Sequence, residues 1–187
     1  LISNELIKNV NNDFENIEEI LKNTISKHDE YLNIAKKIYK KEDLFFIGRG
    51  IDSAVSLEGS LKLKEISYMH SEAYAAGELK HGTISLIDKG TPVIAIATDD
   101  NLYEKTVSNI KETKARGAFS ILLTTDNIDV NTTRDFADIT LQVSKTTDFL
   151  QEIIMVVALQ LIAYETSKLR GCDIDKPKNL AKSVTVE

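Results

Sequence analysis

One cysteine, Cys172, stands in 187 residues. No disulfide can close within the chain, no cysteine-based zinc site can be built, and a reducing, cytoplasmic compartment is the expectation. Tryptophan is absent and proline occurs only twice. Basic blocks are missing as well: 23 Lys and Arg against 29 Asp and Glu leave a net charge of −6. That balance argues against nucleic acid as the main partner. The longest apolar runs, 153–159 and 161–164 on either side of Gln160, read as too short and interrupted to span a membrane. Internal repeats, low-complexity segments and linkers do not appear, and neither a metal ion nor a cofactor is expected. The chain begins at Leu1 without a signal-peptide pattern, so it reads as a piece excised or processed from something longer.

What is present is an ordinary globular composition, 42% hydrophobic and 28% charged, long enough for one domain with an added arm. Residues 1–42 read as a helical arm. Leu6, Ile7, Val10, Phe14, Ile17, Ile20 and Leu21 recur at helical spacing, and a second amphipathic stretch runs from His28 to Tyr39. From residue 43 to 170, strand and helix patterns alternate. The strands are 43–47, a weaker 71–76, 91–97, 119–124 and 137–143. Helices are predicted at 51–69, at 101–116 (closed by Gly117) and at 148–169 (ended by Gly171). Continuously apolar strands separated by helices indicate a parallel sheet covered on both faces. The predicted fold is therefore a three-layer α/β/α sandwich on a five-stranded, flavodoxin-like sheet, with ligands outside the carboxyl ends of the strands. Residues 171–187 form a tail.

Three turns could hold a phosphate at a helix N-terminus, and each is acidic. Gly48-Arg49-Gly50-Ile51-Asp52-Ser53 has the glycines, but Asp52 would repel an anion and reads as an N-cap, with Ser53 as the other candidate. Thr98-Asp99-Asp100-Asn101 and Thr124-Thr125-Asp126-Asn127 carry carboxylates at the same place. An Asp there already complements the helix dipole. A flavin or nucleotide carrier of flavodoxin type is disfavoured for the same reason.

The predicted helix 51–69 carries the candidate chemistry. At about 100° per residue, Ala54, Leu57, Leu61 and Tyr68 make one apolar stripe, and Val55, Leu63 and Ile66 a second. Ser56, Ser60 and Ser67 gather on a small polar third side. Glu58, Lys62 and Glu65 point between the two apolar stripes, where low-dielectric walls would shift their proton affinities toward neutrality. The plainer reading is a pair of surface ion pairs at i,i+4 and i,i+3, worth about 0.2–0.5 kcal/mol each. Downstream, Glu78-Leu79-Lys80-His81-Gly82 taken alone is a polar loop, and the ending taken alone is a frayed terminus.

Two segments together resemble one family. Lys62 to Gly82 (KLKEISYMHSEAYAAGELKHG) and Asn179 to Glu187 (NLAKSVTVE) look like the second, C-terminal sugar isomerase domain of the glutamine–fructose-6-phosphate aminotransferases, the glucosamine-6-phosphate synthases. The resemblance covers nearly the whole chain. It implies a sugar phosphate substrate and proton transfer between adjacent sugar carbons as an amine is installed. Glu65 then matches the carboxylate base, and its walled position suits a raised pKa. Lys62 matches the lysine that handles a substrate hydroxyl proton, and His81 the histidine that assists ring opening. The family contributes that histidine across a subunit interface, which implies a homodimer. Lys182 matches the tail lysine that forms an imine with the sugar. The resemblance further implies a preceding glutaminase domain and a first sugar isomerase domain, which holds the phosphate loop missing here. Thr83 departs from the pattern, standing where relatives often carry proline after the His-Gly pair. The fragment alone is expected to show little or no synthase activity. A non-catalytic sugar-phosphate-binding or dimerisation module is the competing reading.

Overall fold

A computed structural model of the chain describes residues 3–178. Two helices come first, α1 (Asn4–Ser26) and α2 (His28–Ile38). Next come β1 (Asp43–Gly48), α3 (Ile51–Ser67), β2 (His70–Ala75), β3 (Pro92–Ala97), α4 (Tyr103–Lys114), β4 (Phe119–Thr125), β5 (Ile139–Val143) and α5 (Asp148–Leu169). Short 3₁₀ turns occupy Ala76–His81, Thr83–Leu86 and Val130–Thr133. The first two fall where the sequence predicts only a loop. They complete one compact connection between β2 and β3.

All five strands are parallel, in the order β2-β1-β3-β4-β5. This is the flavodoxin-like arrangement, with its switch point between β1 and β3. Alternation along the strands sorts the core into two layers. Leu44, Phe46, Ile94, Ile96, Ile121, Leu123, Leu141 and Val143 pack with α2, α3 and α5. Phe45, Ile47, Val93, Ala95, Ala97 and Leu122 pack with α4 and the 76–81 turn. Tyr31, Ile34 and Ile38 of α2 join the first layer, and Ile17, Ile20 and Leu21 of α1 rest against it.

Two expectations give way here. The apolar runs 153–159 and 161–164, read as too short and interrupted to span a membrane, lie within helix 148–169, which is long and apolar enough to cross one by length and composition. One side of it serves the core: Leu150, Ile154, Met155, Ala158, Leu159, Ile162 and Ala163 are all buried, whereas Phe149, Ile153 and Tyr164 are exposed. The second correction concerns α3. Its small polar side is the face that enters the fold, and the Ala54–Leu57–Leu61 stripe is the one that faces out. Ser60 Oγ donates to the Ser71 carbonyl and Ser71 Oγ to the Ser60 carbonyl, at 2.9 and 3.0 Å. A Cβ at Gly59 would sit 3.1 Å from both Leu159 and Phe46. Small residues let α3 approach the sheet and α5 closely, and each buried hydroxyl finds a carbonyl. Periodicity alone cannot tell such a face from a solvated one.

Candidate active site

Helix α3 runs from the carboxyl edge of the sheet, where β1 delivers it, to the amino edge, where β2 begins. Its last three turns carry the charged trio. Lys62 Nζ lies 2.9 Å from Glu65 Oε2 and 3.4 Å from Glu58 Oε1, so one ammonium is bracketed by two carboxylates. The hydrogen bond to Glu65 is the main influence raising the Lys62 pKa; partial burial opposes it, and the Glu58 charge adds to the rise. All three side chains are half-buried, Glu65 at 24% exposure. The apolar surroundings differ from those predicted. On one side Val55 and Leu63 enter the core, whereas Leu57 and Leu61 on the other are 59% and 43% exposed. One wall of the trio therefore belongs to the fold, and the other is an apolar surface left exposed among the described residues.

His81 closes the 3₁₀ turn that follows β2. Glu65 precedes that strand, so the two residues lie beyond opposite ends of an element about 20 Å long. His81 is 73% exposed, 3.9 Å from Glu78. The structure does not bring it to Glu65 within one chain. The turn itself is held firmly. Lys80 pairs with Glu112 of α4 at 2.7 Å, and the Arg49 guanidinium lies 3.3 Å from where Gly77 would carry a Cβ. Arg49 Nε also donates to Asn109 Oδ1 at 3.0 Å. The sequence reading missed this role by treating Arg49 only as part of a phosphate loop. The signal was a long cation flanked by two glycines just after a buried strand.

The loops at the switch point are satisfied internally. Asp52 is not an N-cap: Gly50 holds that position, at φ 57° and without a side-chain cap bond. Asp52 instead accepts from the Thr98 backbone N–H (2.8 Å) and the Thr98 hydroxyl (2.6 Å). Burial raises its pKa, and the Thr98 bonds partly offset the rise. The Asp52 carboxylate thus ties the start of α3 to the residue that follows β3. At the other two loops, Asp100 pairs with Lys145 at 3.1 Å, and Asp126 accepts from the Lys145 backbone N–H. Thr124 Oγ1 donates to the Ala97 carbonyl and Thr125 Oγ1 to Asn127. Among the described residues, no group of three or more His, Cys, Asp and Glu could hold a metal ion.

Lys182 lies outside the described residues. The last described residue, Lys178, sits on Tyr68, the residue that ends α3: its N–H donates to the Tyr68 hydroxyl at 2.7 Å, and its ammonium lies 4.4 Å from the ring centre.

Residues 37–169 match the SIS domain family. The glutamine–fructose-6-phosphate aminotransferase (isomerizing) of Clostridium acetobutylicum is 45% identical over 186 residues, all of this chain and 30% of that protein. The Clostridium tetani protein of the same name is 54% identical over 157 residues, 82% of this chain and 25% of its own length. The chain therefore spans under a third of these relatives. Among solved structures, the C-terminal domain of glucosamine-fructose-6-phosphate aminotransferase from Francisella tularensis superposes with a TM-score of 0.85 at 35% identity. The match covers 94% of this chain and 49% of that one.

Proposed function

The chain belongs to the SIS domain family, and from that premise we propose that it is the second sugar isomerase domain of a glucosamine-6-phosphate synthase. The longer enzyme takes fructose 6-phosphate and glutamine to glucosamine 6-phosphate and glutamate, in the cytoplasm, as a step of amino sugar synthesis. In this reading residues 1–42 are a helical arm, 43–170 the isomerase domain and 171–187 a tail that closes over the sugar.

The observation that carries the proposal is the Lys62–Glu65 pair, 2.9 Å apart and half-buried, beside an apolar stripe left exposed among the described residues. Isomerisation removes a proton from one sugar carbon and returns it to the next. Glu65 is the carboxylate that carries this proton. Lys62, one turn away, exchanges the hydroxyl proton at the neighbouring carbon. Lys182 forms the imine with the sugar carbonyl, and enclosure by the tail keeps water from hydrolysing it. Lys178 is held at Tyr68, so the tail continues from a point three residues past Glu65. His81, on the far end of β2, serves ring opening in a second copy of the chain, and the working form is a homodimer. The first sugar isomerase domain supplies the phosphate anchor, and the glutaminase domain the ammonia.

In the full-length enzyme, Glu65→Gln is expected to leave sugar binding largely intact while isomerisation falls by roughly 10²–10⁴-fold. Lys182→Arg should abolish trapping of the sugar by borohydride; trapping that survives would refute that role. The separation of His81 from Glu65 favours, as a second reading, a sugar-phosphate-binding or dimerisation module without chemistry. Calorimetric titration with fructose 6-phosphate separates the two. Tight binding by this chain alone would support the module and contradict a phosphate anchor supplied from outside.

A further inference from the structure

Helix α3 stops at Ser67, and only two residues join it to β2. The reversal is made at Tyr68, at φ 56° and ψ 24°. It is the one non-glycine residue with positive φ among those described. Glycine would make this turn without the crowding that a Cβ brings to left-handed backbone. The backbone alone therefore gives no reason for tyrosine; the side chain does. Its hydroxyl accepts the Lys178 N–H, 110 residues away in sequence, and its ring faces the Lys178 ammonium.

The surroundings make this a built junction. Ser167 Oγ, in the last turn of α5, donates to the Ile66 carbonyl at 2.7 Å. Cys172 Sγ approaches the Ser67 carbonyl at 3.8 Å. Beyond α5, Gly171 turns the chain at φ 70°, and Asp173 Oδ1 accepts from the N–H groups of Asp175 and Lys176, both at 3.0 Å. Pro177 has no N–H to offer, and the next donor is the Lys178 N–H that Tyr68 receives. Ser167 and Cys172 thus meet carbonyls freed at the end of α3, and Asp173 and the Tyr68 hydroxyl take up N–H groups of the departing chain, within a turn of Glu65.

We propose that Tyr68 is a positioning residue, a latch that holds Lys178 so that the chain leaves the fold beside the Lys62–Glu65 pair. The left-handed turn aims the ring and hydroxyl at the departing segment, and the cation over the ring adds a second, geometrically distinct hold. This deepens the function proposed above and rests on it for one step only, the delivery of Lys182 to the sugar.

Two measurements on the full-length enzyme test it. The first is hydrogen exchange at the Lys178 amide. Tyr68→Phe removes the acceptor and keeps the ring; it should speed this exchange roughly five- to tenfold, with the amides of α3 unchanged. Tyr68→Asn keeps a side chain that tolerates the left-handed turn and removes both holds, and exchange should rise further. The second is the rate of borohydride trapping and its kinetic split. Trapping and kcat should fall in the same order, Asn below Phe below Tyr, with KM for the sugar little changed. Unchanged exchange in both variants overturns the latch. Faster exchange with undiminished trapping overturns the positioning role. If the unsubstituted enzyme traps no sugar, the functional reading fails instead, and the exchange result still decides the latch.

Discussion

The two ends of α3 are built on opposite plans. At its N-terminal end, on the carboxyl edge of the sheet, the one acidic side chain of the first turn is buried and internally paired. Asp52 binds Thr98, and a Cβ at Gly48 would meet the Asp52 carbonyl at 2.4 Å. At the other end a lysine and two carboxylates remain half open beside exposed Leu57 and Leu61. Doubly wound folds commonly bind ligands at the first kind of place. Here the Asp52 carboxylate is tied to Thr98 at that edge, and the Lys62–Glu65 pair lies on the helix flank toward the other. A fold thus suggests where to look, while the side chains decide where chemistry can occur.

Substitutions at the two ends should separate activity from stability. The largest effect is the loss of isomerisation in Glu65→Gln, with urea midpoints unchanged. A parallel drop in stability would show Glu65 to be structural. Next comes Asp52→Ala, which strands a buried N–H and should lower unfolding free energy by about 1–3 kcal/mol. Asp52→Asn retains an acceptor for that N–H and can donate to the Thr98 hydroxyl, so it should lose much less. Equal losses in the two variants would mean that the Asp52–Thr98 bonds do not seal this edge.

A pH comparison sharpens the point. The folded-state pKa of Asp52 lies above 3.8, so between the two values the folded chain binds the proton more readily than the unfolded one. The Asp52 contribution therefore improves as pH falls through the folded pKa toward 3.8 and levels off below it. In urea titrations, the stability of Asp52→Asn relative to the unsubstituted chain should decline across that window. A flat difference would contradict the burial penalty. The smallest effect belongs to the exposed stripe: Leu57→Ser with Leu61→Ser should change the stability of this chain by no more than about 0.5 kcal/mol per site. The same changes should weaken the full-length enzyme if another domain covers the stripe.

The sequence makes much of the fold legible, because β3 is continuously apolar and Gly171 ends α5. Helix 148–169 is predicted to the residue. The trio on α3 is legible from spacing alone, since Lys62–Glu65 and Lys62–Glu58 are i,i+3 and i,i+4 neighbours on any helix. Its surroundings are not. Which of three faces enters the core depends on how closely α3 can approach the sheet, and that is set by Gly59, Ser60 and Ser71 acting together. Asp52 was misread because its partner, Thr98, is 46 residues away. Tyr68 escaped notice because a left-handed backbone leaves no trace in the sequence when the residue is not glycine.

Helix α3 also has a mechanical side. From Asp52 to Glu65 is about 20 Å of stiff rod, moored to a neighbouring loop at one tip and bearing the Lys62–Glu65 pair at the other. A tilt of about 1.5° at the mooring carries the far tip by about 0.5 Å, the margin within which such groups must be held. A defect at Thr98 would thus be felt as misalignment at the opposite margin of the molecule.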